Sequence, residues 1–208
     1  DKTTVIYSDT NRFNEELICK DILYKKMLKE QPDVDWVLWL DGDLLLDGRL
    51  LVDNNLEKLC AKLDEKNVDL PCFGHYNLWR SDTFYRVDQG YHNLHGRWFP
   101  LWGKPKNKYF DAIPGLHHGQ VPQGTTKAAI VDVSVIHRGF ATDEYIVEKY
   151  LRYKELGQKG WDLDRLIDEE TLTVEHLPIG ILPKWFELSD IADPTTKPKL
   201  IELFTNIP

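Results

Sequence analysis

The feature that most constrains the fold is a run of five large apolar residues at 36–40 (WVLWL), which ends abruptly at residues 41–43 (Asp-Gly-Asp). A continuous apolar run of this length is typical of a central parallel β-strand that is covered on both faces. In open α/β sheets, ligands bind beyond the carboxyl ends of such strands. We therefore expect Asp41 and Asp43 to lie at the mouth of a site, with Gly42 allowing the backbone to turn there.

The two acids of this segment are close enough in sequence to repel each other unless a cation lies between them. Asp oxygens suit Mg²⁺ or Mn²⁺, ions that keep some of their waters and also bind the phosphate groups of a ligand. We therefore predict that Asp41 and Asp43 bind a divalent metal ion. The alternative is a turn with two solvated acids, because Asp-Gly is a common turn dipeptide.

Strand and helix patterns alternate along the chain. They predict strands at residues 3–7, 36–40, 68–78 and 128–136 and helices at residues 13–30, 50–65 and 143–156. The last helix is expected to be capped by Thr142 or Asp143 and to end at Gly157. This alternation is typical of an α/β domain with a mixed, mostly parallel sheet flanked by helices.

The domain organisation follows from the same patterns. We place a single α/β domain at residues 1–160. Residues 161–208 carry weak helix signals and several prolines. We expect them to form a C-terminal extension that packs on the domain.

The composition excludes several classes of protein. The chain of 208 residues has 26 Lys and Arg against 34 Asp and Glu, a net charge of −8, which argues against a nucleic-acid partner. No segment approaches the roughly 18 consecutive apolar residues of a membrane-spanning helix, so we expect no transmembrane segment. Three cysteines without a CxxC spacing indicate a reducing, cytoplasmic location rather than a disulfide framework or a zinc site.

Several segments, taken in order, resemble a known family. Residues 35–43 (DWVLWLDGD) are similar to the strand and D-x-D motif of GT-A-type, family 2-like glycosyltransferases, and residues 13–20 (FNEELICK) resemble the helix before that strand. Residues 77–88 (NLWRSDTFYRVD) resemble a later stretch of bacterial, archaeal and viral members. Residues 136–140 (IHRGF), followed by residues 149–153 (KYLRY), resemble a still later segment. The resemblance implies a GT-A-like fold.

The resemblance also implies an activity, namely transfer of a sugar from a nucleotide-diphosphate sugar donor to a glycan or other hydroxyl acceptor. It implies Mn²⁺ or Mg²⁺ bound by Asp41 and Asp43, with His137 as a third ligand, since imidazole suits Mn²⁺. Enzymes of this type usually begin with a strand, helix and strand that hold the base. Only a few residues precede residues 7–9 here, so the chain either lacks that half or has an unusual N-terminal region.

Further residues are candidates for substrate binding and catalysis. Trp79 is expected to stack against a sugar face, and Asp88 is the candidate general base of an inverting mechanism, whereas a retaining mechanism would need no such base. Four cationic residues are candidates for binding the diphosphate: Lys20, Arg80, Arg86 and Arg138. Each of these charges also has an ordinary structural or surface explanation. His117 and His118 are interpreted as surface residues.

Two other functions remain open from the sequence. One is a catalytically silent domain that binds a nucleotide sugar or a glycan. The other is a metal-dependent phosphohydrolase that uses Asp and His ligands on a small phosphoester. Release of a nucleoside diphosphate from a sugar donor distinguishes the transferase from the silent domain, and turnover of a generic phosphoester would indicate the phosphohydrolase.

Overall fold

The computed structural model describes residues 15–88, 91, 98–111, 121–157, 163–183, 186 and 200–204. The predicted strand at residues 3–7 lies outside these residues, and so do His117 and His118. Within the described part, helices and strands are mixed along the chain, which confirms the α/β class in its coarse form.

The predicted elements appear with shifted ends. The described helices are α1 (Glu16–Glu30), α2 (Asn55–Glu65), α3 (Asp143–Glu155) and α4 (Leu163–Leu166). The described strands are β1 (Trp36–Leu38), β2 (Leu44–Leu46), β3 (Leu70–Asn77), β4 (Phe84–Arg86), β5 (Leu101–Gly103), β6 (Ala128–His137), β7 (Ile179–Ile181) and β8 (Leu200–Phe204). Short 3₁₀ turns lie at Gly48–Leu50 and Pro105–Asn107. The predicted helix at residues 50–65 therefore begins later than expected.

A four-stranded sheet forms the centre of the fold. Its longest strand, β6, pairs in parallel with β3 along one edge and antiparallel with β2 and β8 along the other. Two smaller antiparallel sheets join β1 to β5 and β4 to β7. Among the described strands, β3 and β6 are the one parallel pair. The sheet that we expected to be mostly parallel is thus mostly antiparallel in this part of the chain.

The apolar run at residues 36–40 is not the central parallel strand that we predicted, because β1 pairs antiparallel with β5 outside the central sheet. Trp36 and Leu38 pack against one apolar cluster, whereas Val37 and Trp39 pack against another. The run is continuous because both faces of the strand meet apolar side chains. Coverage of two faces does not determine the direction of the partner strand, and this is why the prediction of a parallel strand was wrong.

The two apolar clusters cover opposite faces of the central sheet. Val131 and Val133 of β6 belong to the cluster that α2 covers through Leu63. Ala128 of the same strand belongs to the cluster that α1 covers through Tyr24. Because side chains of a strand point alternately to its two faces, α1 and α2 lie on opposite sides of the sheet.

Residues beyond 160 contribute to a third cluster. Leu163 and Leu166 of α4 pack with Trp79 and with Ile146 of α3. Further along, β7 pairs with β4 and β8 pairs with β6. The domain boundary at residue 160 stays a prediction.

Candidate functional site

Three polar side chains meet at one edge of the central sheet. The parallel strands β3 and β6 end at Asn77 and His137, which are paired in register. The antiparallel strand β2 begins at Leu44, opposite His137, so that Asp43 precedes it at the same edge. The carboxyl end of a parallel pair is where ligands bind in open α/β sheets. The topology therefore places Asp43, Asn77 and His137 together although they are far apart in sequence.

His137 lies between the other two side chains. Its Nε2 atom is 2.9 Å from Oδ2 of Asp43, and its Nδ1 atom is 2.7 Å from Oδ1 of Asn77. Because the amide oxygen can only accept a hydrogen bond, Nδ1 of His137 is a protonated nitrogen. The Asn77 amide in turn donates to Nδ1 of His75 at 3.3 Å. Asn77 thus fixes the ring so that Nε2 of His137 faces Asp43.

Lys149 of α3 contacts the same pair. Its Nζ atom is 3.5 Å from Oδ2 of Asp43 and 3.4 Å from Nε2 of His137. Burial opposes ionisation of Asp43, but the hydrogen bond and charge of His137, followed by those of Lys149, lower the pKa of Asp43 below its ordinary value. Burial lowers the pKa of Lys149, and the charge of Asp43 opposes that shift. Asp43, His137 and Lys149 therefore form one cluster of polar contacts.

A glycine allows these side chains to approach. A Cβ atom on Gly139 would lie 2.7 Å from both Oδ2 of Asp43 and Nε2 of His137, which is closer than real Cβ contacts. The neighbouring backbone is held as well, because the N–H of Arg138 donates to the carbonyl of Asp43 at 2.8 Å. Phe140 follows, with its ring under the Lys149 ammonium at 4.5 Å from the ring centre. The segment 138–140 therefore shapes the floor of the site.

One face of α3 forms the wall of a cleft beside this cluster. The helix begins as predicted, with Thr142 accepting a hydrogen bond from the N–H of Tyr145. Residues at positions i, i+3, i+4 and i+7 lie on one helix face. The cleft has a volume of about 280 Å³, and its lining residues are Gly42, Asp43, Arg138, Gly139, Tyr145, Glu148, Lys149 and Arg152.

The charge of the cleft is opposite in sign to that of the whole chain. Three of its lining residues are cationic, Arg138, Lys149 and Arg152, and two are acidic, Asp43 and Glu148. The chain as a whole carries −8. A local excess of positive charge, with guanidinium groups that bind oxygens in pairs, favours an anionic ligand such as a phosphate.

The predicted metal ligands are only partly brought together. Asp43 and His137 are in contact, whereas Asp41 is not part of that pair, and its Oδ1 atom lies 3.4 Å from the indole nitrogen of Trp39. Among the described residues, no group of three or more His, Cys, Asp or Glu side chains is arranged to hold a metal ion.

The pair of Asp43 and His137 nevertheless has atoms and spacing that suit a divalent ion. Adjacent ligands of an octahedral ion lie about 3 Å apart when each bond is about 2.1 Å long. The 2.9 Å between Oδ2 of Asp43 and Nε2 of His137 matches that spacing. Asn77 completes the arrangement, because metal-binding His side chains usually donate their other N–H to an oxygen.

Two of the predicted substrate-binding residues are packed inside the protein. Trp79 is 3% exposed and donates its indole N–H to the carbonyl of Glu175. Arg86 is 1% exposed and lies between the rings of Trp79 and Tyr91, with its guanidinium carbon 5.2 and 4.0 Å from the ring centres. Neither side chain lines the cleft. The described geometry therefore favours packing roles for both residues.

The candidate base Asp88 is held in ion pairs. It accepts hydrogen bonds from Arg86 at 2.8 and 2.7 Å and from Arg165 at 3.1 Å. The hydrogen bonds from Arg86 lower the pKa of Asp88, although burial opposes the shift. A carboxylate that is stabilised in its charged form is a weak proton acceptor. Its predicted catalytic role gains no support from this geometry.

The remaining predicted cations have different positions. Arg138 lines the cleft, and its guanidinium is 2.9 Å from Asp82. Arg80 pairs with Asp143 at the start of α3, with its Nη2 atom 2.7 Å from the carboxylate. Lys20 is buried in α1 and pairs with Glu16 one turn away. All five predicted substrate-binding residues lie in the described part of the chain, and Arg138 is the one among them that lines the cleft.

Several residues of this site are absent from the sequence-based prediction, among them Asn77, Lys149 and Arg152, which contact His137 or line the cleft. Asn77 lies in a segment that was recognised only for its resemblance to a family. Lys149 and Arg152 lie in another such segment, residues 149–153, and together with Tyr145 they occupy one helix face. The i, i+4, i+7 spacing of Tyr145, Lys149 and Arg152 indicates a shared helix face from the sequence alone. Which edge of the sheet that face lies against is shown only by the fold.

Comparison with known proteins gives no family assignment. No family model matches the chain, and no curated protein or solved structure matches it either. The resemblance to glycosyltransferases therefore remains a prediction from sequence motifs. None of the described helices is long and apolar enough to cross a membrane.

Proposed function

We propose that the cleft is the active site of a metal-dependent glycosyltransferase of GT-A type, which uses a nucleotide-diphosphate sugar as donor and a glycan or other hydroxyl as acceptor. One observation supports this above all. The pair of Asp43 and His137, which suits Mn²⁺ or Mg²⁺, borders a cleft with three cationic side chains. A diphosphate needs both features, because its charge is shared between a metal ion and Lys or Arg.

In this proposal the side chains have separate tasks. Arg138 and Arg152 bind phosphate oxygens, since guanidinium groups match their geometry. Asp43 and His137 hold the ion, and Asn77 keeps Nε2 of His137 directed at it. An ion held by Asp43 and His137 would supply positive charge to stabilise the leaving diphosphate.

An inverting transfer requires a side chain that accepts the proton of the acceptor hydroxyl. Among the described residues, the acids that line the cleft are Asp43, which we assign to the metal, and Glu148, which is ion-paired with Arg152. Asp88 is paired with Arg86. An inverting transfer needs a carboxylate to accept that proton. The arrangement is therefore compatible with a retaining transfer, or with a base contributed from outside the described residues.

The ion pairing of the acids in the cleft also favours a second function. Because the described acids of the cleft are all engaged by cations, the domain would also suit binding of a nucleotide sugar without turnover. Such a domain shares the metal requirement and the diphosphate contacts. It differs in releasing no nucleoside diphosphate.

The experiment that tests the proposal measures nucleoside diphosphate release from a panel of nucleotide sugars, with Mn²⁺ and with glycan acceptors. We expect release that depends on both the metal and an acceptor, and its loss in Asp43→Ala. Asp33→Ala is the matched control, because Asp33 is exposed and its one described ion pair joins it to Lys106 at 3.4 Å. Metal-dependent binding without release indicates the silent domain. Turnover of a simple phosphoester instead indicates a phosphohydrolase, and absence of metal-dependent binding contradicts the proposal.

A further inference from the structure

The ammonium group of Lys149 lies where a cation bound to Asp43 and His137 would repel it. It contacts the same two atoms that are the proposed metal ligands, Oδ2 of Asp43 at 3.5 Å and Nε2 of His137 at 3.4 Å. The ammonium lies over the Phe140 ring, 4.5 Å from its centre, and the Lys149 side chain is 21% exposed. A half-buried carboxylate is thereby neutralised by a residue of the chain itself.

A divalent ion bound to Asp43 and His137 would repel the ammonium of Lys149 if both stayed in contact with these two side chains. An ion about 2.1 Å from both ligand atoms would lie within about 5 Å of the ammonium whichever side it entered from. Like charges at that distance, in a partly desolvated site, repel strongly. The Lys149 side chain has a flexible four-carbon stem, so it can move away while the backbone of α3 stays in place.

The cleft provides the place to which the ammonium would move. Lys149 lines the cleft together with Arg138 and with Arg152, which lies one turn further along α3. Leaving Asp43 brings the ammonium towards two other cations, which is favourable only when an anion is bound between them. The phosphate groups of a metal-bound ligand are such an anion.

We propose that Lys149 is the resident cation of the Asp43–His137 pair: a divalent ion displaces it, and the displaced ammonium then binds phosphate oxygens in the cleft. This inference rests on the metal site of the proposed function but not on sugar transfer. In this account Lys149 weakens metal binding and strengthens phosphate binding. Metal and phosphate are therefore expected to strengthen each other's binding beyond their direct contact, and by the same factor in both directions.

The first part of the test measures Mn²⁺ binding by calorimetry in the absence of any phosphate. In Lys149→Met, which keeps an unbranched side chain but removes the charge, we expect Mn²⁺ to bind about tenfold more tightly than in the original chain. The matched control is Lys154→Met on the same helix, because Lys154 pairs with Glu169 rather than with Asp43. We expect this control to leave the Mn²⁺ affinity unchanged.

The second part measures binding of inorganic pyrophosphate at saturating Mn²⁺. Here Lys149→Met is expected to bind about tenfold more weakly, because one cationic ligand of the phosphate is gone. Opposite effects on the two ligands separate this role from damage to the fold, which would weaken both. Unchanged or weaker Mn²⁺ binding in Lys149→Met overturns the inference, and so does failure of both forms to bind Mn²⁺. If both effects appear but no sugar donor is turned over, the inference stands and the transferase proposal fails.

Discussion

Asn77 and His137 face each other across the parallel strands β3 and β6, with the amide oxygen 2.7 Å from Nδ1 of the imidazole. The contact decides which ring nitrogen is available to the cleft. It also links the site to the interior of the sheet, because the same amide donates to His75, whose ring stacks on Trp98 at 4.4 Å between centres. The orientation of a proposed metal ligand is thus set by a residue two strands away from Asp43.

The Asn77 contact leads to a prediction about metal affinity. Asn77→Ala removes the acceptor for the N–H at Nδ1, so we expect Mn²⁺ affinity to fall about tenfold, as is usual when the partner of a ligating His is lost. Asn77→Asp keeps an acceptor oxygen and serves as the control, with affinity close to that of the original chain. Calorimetric titration with Mn²⁺ measures both. Equal affinities in all three proteins would show that Asn77 does not orient His137.

Gly139 provides a second prediction, because it is the position where a single methyl group intrudes on the site. In Gly139→Ala the new Cβ would lie 2.7 Å from Oδ2 of Asp43 and from Nε2 of His137, and closer still to the ammonium of Lys149. The ammonium can move away on its flexible stem, but the His137 ring is held by Asn77, so the Cβ would also press on the proposed ligand pair itself. We expect the side chains to separate and Mn²⁺ affinity to fall about tenfold, since overpacking costs about 1–3 kcal/mol. Gly42→Ala is a control in the same cleft, because a Cβ there meets nothing within 4 Å. Similar Mn²⁺ affinity in the two variants would contradict this account.

The sequence predicts most of the elements that carry the site, but not β2, the short strand that follows Asp43. The strand predicted at residues 128–136 is β6, and the helix predicted at residues 143–156 is α3, with its Thr142 cap. These predictions succeed because periodicity and capping are local properties of the chain. The direction of the strand at residues 36–40 is not local. It depends on pairing with β5, about sixty residues further along.

The candidate site was predicted in part for the same reason. Asp43 and His137 stand at the ends of predicted strands, where ligand-binding residues are expected, and they do meet. Trp79 and Arg86 have the same chemistry as ligand-binding residues but pack against each other inside the protein. Residue type alone does not distinguish the two outcomes, because aromatic and guanidinium groups stack equally well on a ligand and on one another.

The acid Asp69 at the start of β3 leads to a prediction about pH. It is 1% exposed and accepts hydrogen bonds from the ammonium of Lys108 at 2.7 Å and from the backbone N–H of Lys127 at 2.8 Å. Burial opposes ionisation, but these hydrogen bonds lower the pKa of Asp69 below its ordinary value. Since the folded-state pKa lies below that of the unfolded chain, about 3.9, the ionised group stabilises the fold above that pH. The stabilisation is lost as the pH falls through the folded-state value.

Asp69→Asn tests this prediction by urea unfolding at a series of pH values. We expect the free energy of unfolding at pH 7 to fall by about 3–5 kcal/mol, because the charge of Lys108 stays buried without its carboxylate. We also expect the fall in stability below the unfolded-state pKa of about 3.9 to become shallower. The double variant Asp69→Asn with Lys108→Met should recover part of the loss. An unchanged pH profile in the single variant would show that Asp69 is not a source of the acid sensitivity.

The last prediction separates the two roles considered for Asp88. The ion pair with Arg86, at 2.7 Å and with that guanidinium 1% exposed, indicates that Asp88 stabilises the packing of Arg86 against Trp79 and Tyr91. Asp88→Asn removes the charge that faces Arg86, so we expect the free energy of unfolding to fall by about 3 kcal/mol. The affinities for Mn²⁺ and pyrophosphate should remain close to those of the original chain below the melting temperature. Thermal unfolding and calorimetry measure the two quantities on one sample. If instead the melting temperature is unchanged and sugar transfer is lost, Asp88 is the general base and its pairing with Arg86 is incidental.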